Sequence, residues 1–102
     1  MNKRYYHKLD LLKGDKHVIM GNHDLPKHTN ELLKHVKTVC GMYQKSGYIL
    51  THCPIHESQF DIFKGNIHGH LHENEIPDTR YINVCCEQIG YTPILLSDII
   101  GE

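Results

Sequence analysis

Val18, Ile19 and Met20 form a short apolar run of the kind that makes a buried strand, and Gly21 directly behind it allows a turn that a side chain would block. The sequence therefore predicts a strand from His17 to Met20. Ahead of it, Tyr5, Leu9 and Leu12, with Tyr6, recur at near-helical spacing, so Met1 to Lys13 reads as the tail of an amphipathic helix that Gly14 ends. After Leu25-Pro26, the Thr29 hydroxyl is placed to cap a helix from Asn30 to about Lys37, with Leu32, Leu33 and Val36 on its apolar face and His28 and His35 in solvent. From Thr38 the pattern turns to strands. These are Thr38 to Gln44, a hairpin turn at Lys45-Ser46-Gly47, Tyr48 to Thr51, Asn66 to Gly69, Tyr81 to Cys85 and Pro93 to Leu96. Residues Ile55 to Lys64 read as a loop with one helical turn, and Ser97 to Ile100 as a helical stub.

A chain of 102 residues holds one small domain, and 39% hydrophobic with 23% charged residues is ordinary for a folded one. The formal net charge of -1 and the scattered Lys and Arg residues give no general attraction for nucleic acid, which enters only as a conceivable substrate. Ten histidines change the picture, because imidazole is the commonest side-chain metal ligand. The four cysteines, Cys40, Cys53, Cys85 and Cys86, lack the C-x-x-C spacing of structural zinc sites and read as free, mostly buried thiols. Cys53, beside His52, is the one placed to lie near a metal. No signal peptide and no apolar run of membrane-spanning length is present, so the expectation is a cytoplasmic protein with no membrane partner.

Three stretches carry the candidate chemistry. Gly21-Asn22-His23-Asp24 leaves the first strand at its carboxyl end, where loops stand on a rigid floor yet stay open to solvent. Taken alone, these residues are equally a turn. His52 follows the strand Tyr48 to Thr51, with Pro54 forcing the chain out of the sheet. Gly69-His70-Leu71-His72 follows the strand at Asn66. In an extended segment His70 and His72 would project to one side while Leu71 packs to the other. An isolated H-x-H is more often a pair of exposed histidines on a polar strand face, but three strand ends that each deliver imidazole are not explained by turns. His68, ahead of Gly69, is expected to pack or to support the site without serving as a ligand.

In this order, Gly21 to Asp24, then His52, then Gly69 to His72 resemble the motifs of the calcineurin-like metallophosphoesterases. The flanks, Leu12-Lys13-Gly14 and Ile82-Asn83-Val84 followed by Pro93-Ile94, match in character as well. The resemblance implies an α/β fold, the C-terminal half of a metallophosphoesterase-like β-sandwich flanked by helices, over residues 1–102. It implies that Asn22, His52 and His70 bind one divalent ion and His72 its neighbour, the pair being Mn²⁺, Fe²⁺, Zn²⁺ or Ni²⁺. His23 would be the general acid that protonates the leaving oxygen of a phosphoester, held in orientation by Asp24. The family's N-terminal Asp-x-His and Gly-Asp-x-x-Asp motifs, whose carboxylates bind the first ion and bridge both, are absent from these residues. Two divalent ions without that bridge repel each other, so activity is expected to need the other half, which is supplied by a separate chain or has been lost. Two other classes fit the same residues, namely a vestigial or regulatory domain that works through contacts and a histidine-rich metal module with no hydrolytic ancestry.

Overall fold

The computed structural model describes residues 3–22 and 24–101, an α/β arrangement with two sheets. In the first sheet β1 (His17–Ile19) pairs in parallel with β2 (Thr38–Cys40), His17 lying opposite Thr38 and Ile19 opposite Cys40. A parallel pair needs a long crossover. Residues 20–37 supply it through a 3-10 turn at Pro26–His28 and a single α-turn, α1 (Thr29–Leu32). Tyr6, Leu32 and Val36 are buried in this crossover, and Leu9, Val18 and Val39 pack against them.

The helical stretches are shorter and tighter than periodicity predicts. Among the described residues, the N-terminal segment is a 3-10 helix over Lys3–Leu11. At three residues per turn Tyr6 and Leu9 stack on one face, which leaves Tyr5 and Leu12 exposed instead of on the apolar side. The second helix stops at Leu32, so Leu33 is exposed. The Thr29 hydroxyl donates to the Pro26 carbonyl at 2.7 Å and does not cap the α-turn. The Lys37 N–H then donates to the Lys16 carbonyl at 2.8 Å, which draws the chain into β2 before a longer helix can form. His35 is not solvated as expected. Its Nδ1 lies 3.1 Å from both Asp10 carboxylate oxygens, and His28 is half-buried.

The second sheet has four strands in the order β3 (Met42–Lys45), β4 (Tyr48–Thr51), β5 (Gly65–His68), β6 (Tyr81–Asn83). The predicted strand Thr38 to Gln44 is therefore two strands that part at Gly41 and join different sheets. Alternation along a strand specifies its faces but not its neighbour, so sequence pattern could not see the break. The hairpin stands as predicted: Ser46 and Gly47 have φ of 54° and 84°, the two left-handed positions that a tight turn between twisted strands requires. β4, β5 and β6 run parallel to one another. β6 ends at Asn83, short of Cys85.

Pro93 to Leu96 is not a strand. Pro93 has no N–H for a ladder, residues 93–95 have no strand partner, and the chain enters α2 (Leu96–Ile100), which Gly101 closes at φ 75°. The helical stub at the C-terminus is thus present and begins one residue earlier than predicted.

Asn66, 0% exposed, is the polar centre of the second sheet. Its amide donates to the Ile49 carbonyl at 2.9 Å and to Thr51 Oγ1 at 3.0 Å, and its Oδ1 accepts the Ile55 N–H at 3.0 Å. Thr51 in turn donates to the Cys53 carbonyl at 2.6 Å. One buried side chain thereby ties β5 to β4 and to the loop that leaves it.

At the start of β6, Arg80 lies 4.3 Å over the Phe60 ring and donates from Nε and Nη2 to the Asp78 carboxylate at 3.1 and 2.8 Å. Arg80 holds the Asp78 carboxyl down at about 2. Because the folded value lies below the unfolded value of about 3.9, the pair's contribution is present above that pH and is lost as pH falls through about 2. A carbon-13 titration of the Asp78 carboxyl is expected to show its midpoint near 2 and to return toward the ordinary value in Arg80→Gln. A midpoint unchanged by that substitution would count against the pairing.

Candidate metal centre

The carboxyl ends of β1, β4 and β5 each release one of the predicted motifs, and their side chains meet. His52 Nε2 lies 2.6 Å from Asn22 Oδ1 and 3.1 Å from His70 Nδ1. The loops are fixed by the backbone: Gly69 N–H donates to the His52 carbonyl at 2.9 Å, which binds the β5 exit to the β4 exit. Gly21 is needed for a reason beyond turning. A Cβ there would stand 2.9 Å from His52 Nδ1, so the imidazole lies directly against the Gly21 backbone.

These contacts have a shortage of protons. The Asn22 oxygen can only accept, and a proton on His52 Nε2 has two acceptors to serve, that oxygen and His70 Nδ1. A proton on His70 Nδ1 instead satisfies that contact and leaves the His52 and Asn22 lone pairs facing each other at 2.6 Å. A cation satisfies all three at once. Oxygen and imidazole donors of this kind suit the divalent transition metals.

Asp24 closes the loop that presents Asn22. Its Oδ2 accepts the Gly21 N–H at 2.9 Å, and its own N–H donates to the Gly21 carbonyl at 3.1 Å. Burial pushes its carboxyl up, but hydrogen bonds, the Gly21 N–H among them, and the nearby His52 ring hold it below the ordinary value. It is therefore ionised at neutral pH. His23, the expected general acid, lies outside the described residues.

His70 and His72 are not in an extended segment, contrary to the i, i+2 expectation. Their φ angles are 70° and 53°, in the left-handed region, and the chain turns sharply after Gly69. His70 accordingly points to His52, whereas His72 Nδ1 lies 2.6 Å from the Glu87 carboxylate. Leu71 therefore does not act as the opposite face of a strand. Asn22, His52, His70 and His72 nevertheless line one cavity of about 340 Å³, together with Cys85, Cys86 and Glu87. A backbone N–H of its own turn and the His72 ring hold the Glu87 carboxyl below its ordinary value.

His68, 1% exposed, supports the site from below. Its Nδ1 sits 2.9 Å from the Gly69 carbonyl, an oxygen that can only accept, so Nδ1 carries the proton. Its Nε2 is buried with no hydrogen-bond partner among the described residues, and the residue lines a separate cavity of about 260 Å³ with Tyr81 and Asn83. Asn83 continues the scaffold, donating to the His72 and Asn74 carbonyls at 3.0 and 2.9 Å.

The thiols differ from expectation. Cys40 and Cys85 are half-buried, while Cys53 and Cys86 are exposed, and only Cys40 of the four lies within a strand. Glu87 had no signal in the sequence as a partner of His72, since it lies fifteen positions away beyond a strand. Comparison of the chain with protein-family models, with curated proteins and with solved structures returns no match. Among the described residues, no helix is long and apolar enough to cross a membrane.

Proposed function

We propose that the chain is the metal-binding half of a metal-dependent phosphoester hydrolase. The observation that supports this reading is the meeting of Asn22, His52 and His70 at the ends of β1, β4 and β5, with His72 on the wall of the same cavity. These are the positions at which the motif resemblance sets the metal ligands. Divalent ions in such a site supply Lewis acidity toward phosphoryl oxygens and acidify water. The chain's own part is to hold the donors still. Gly21 gives the His52 ring its room, Asp24 locks the Asn22 loop, and the Gly69 N–H binds the two histidine loops together. His23 protonates the leaving oxygen, as the family's motif implies. The carboxylates that bridge two ions come from an Asp-x-His and a Gly-Asp-x-x-Asp segment outside these residues, and the substrate is a phosphomonoester or phosphodiester.

Gly21→Ala should displace the His52 ring and lower affinity for Zn²⁺ or Ni²⁺ about tenfold, the scale on which groups that orient a ligand act. Calorimetry on a variant whose circular dichroism is unchanged is the check, and equal affinity would remove Gly21 from the site.

The reading itself is tested by hydrolysis. The chain alone should turn over an aryl phosphodiester with Mn²⁺ or Zn²⁺ barely or not at all, and adding a polypeptide that bears those carboxylates should restore turnover with one of the two ions. In the complex, His23→Ala should slow esters with poor leaving groups most, because those depend on protonation. Equal slowing across the series would exclude His23 as the acid, and a complex without turnover would favour a metal-binding domain that works through contacts.

A further inference from the structure

We infer that Cys53 is a ligand of the same metal and makes the site a zinc-selective one; the inference rests on the metal reading above. Cys53 Sγ, a His52 ring nitrogen and a His70 ring nitrogen all lie within 4.8 Å of one another. They form the group of three histidine, cysteine or carboxylate side chains that the described residues bring to this spacing. The placement is built and not incidental. Thr51 Oγ1, itself held by the buried Asn66, donates to the Cys53 carbonyl at 2.6 Å, and the neighbouring His52 carbonyl accepts the Gly69 N–H at 2.9 Å. The backbone at His52 and Cys53 is thus anchored to the sheet, while the thiol itself is exposed and within 4.8 Å of a nitrogen of each imidazole.

Charge gives the thiol its purpose. Asn22, His52 and His70 are neutral donors, and a dication among neutral donors keeps its full charge. When Cys53 coordinates, the S–H bond breaks, the sulfur–metal bond forms and the proton passes to solvent, so one negative charge enters the site. Asn22 oxygen, two imidazoles and one thiolate make a four-donor set of the composition Zn²⁺ prefers, and a soft sulfur ligand disfavours Mn²⁺ and Mg²⁺.

Cobalt substitution separates this inference from the reading beneath it. Co²⁺ added to the full, reduced chain should give visible d–d absorption together with a near-ultraviolet thiolate-to-cobalt charge-transfer band. Cys53→Ser should lose the charge-transfer band, keep d–d absorption from the imidazoles, and bind Zn²⁺ at least about tenfold more weakly. Cys40→Ser, Cys85→Ser and Cys86→Ser should each retain the band, which controls for the other thiols, two of which line the cavity. A band that survives Cys53→Ser, or that disappears instead in another cysteine variant, overturns the assignment. Cobalt bound by the parent chain with no charge-transfer band also overturns it while leaving the imidazole site standing. Failure of the chain to bind Co²⁺ at all overturns both.

Discussion

The double variant His52→Ala, His70→Ala should lose Zn²⁺ and Ni²⁺ binding by more than about a hundredfold relative to the parent chain, exceeding the effect of removing a group that only orients a ligand. His52 is the pivot, since its Nε2 lies 2.6 Å from Asn22 Oδ1 and 3.1 Å from His70 Nδ1. Its loss removes the ring that joins the Asn22 and His70 loops. The fold should survive, because both rings stand at the solvent side of the sheet and neither belongs to the core. Calorimetric titration with circular dichroism on the same samples reads both quantities. Equal binding by parent and variant would show that metal is held elsewhere on the chain, and the proposal of a hydrolase half would go with it.

Asn66→Ala should cost about 2 kcal/mol or more of stability, from two backbone groups that lose its hydrogen bonds at roughly 1 kcal/mol or above each. The groups are the Ile55 N–H and the Ile49 carbonyl, while the Thr51 hydroxyl keeps the Cys53 carbonyl as its acceptor. A loss of that size is a large share of the 5–15 kcal/mol or so that holds a typical domain together. Urea unfolding of the two proteins measures it, and a change below about 1 kcal/mol would mean that the network is replaceable by water. Asn66→Asp adds a sign. The new carboxyl, buried where Asn66 is 0% exposed, has its pKa pushed up, so that variant should become more stable as pH falls and the neutral acid can donate. Because Thr51 also holds the Cys53 carbonyl, both variants should weaken metal binding even where they remain folded.

How much was legible beforehand differs by element. The Ser46-Gly47 hairpin was readable because left-handed turn residues announce themselves locally, and β1 and β4 because short apolar runs bounded by glycine or proline have few other uses. Asn22, His52 and His70 were readable as a set because each follows a predicted strand, and the parallel pair β4 and β5 presents its carboxyl ends together. The failures were of a different kind. The break at Gly41 depends on which strand is the neighbour, and the missing strand at Pro93 on the absence of one. Both are properties of pairing and not of pattern.

The sequence by itself determined which residue types stand at the strand ends and that imidazole would dominate them. Only the tertiary structure decided their partners. Left-handed backbone at His70 and His72 sends neighbouring rings to different companions, one to His52 and one to Glu87, where an extended strand would have kept them together. Cys53 joins the two imidazoles because the Thr51 hydroxyl and the Gly69 N–H fold the β4 exit back toward β5. Backbone torsions and long-range hydrogen bonds of this sort depend on atoms far apart in the chain, and no local periodicity encodes them.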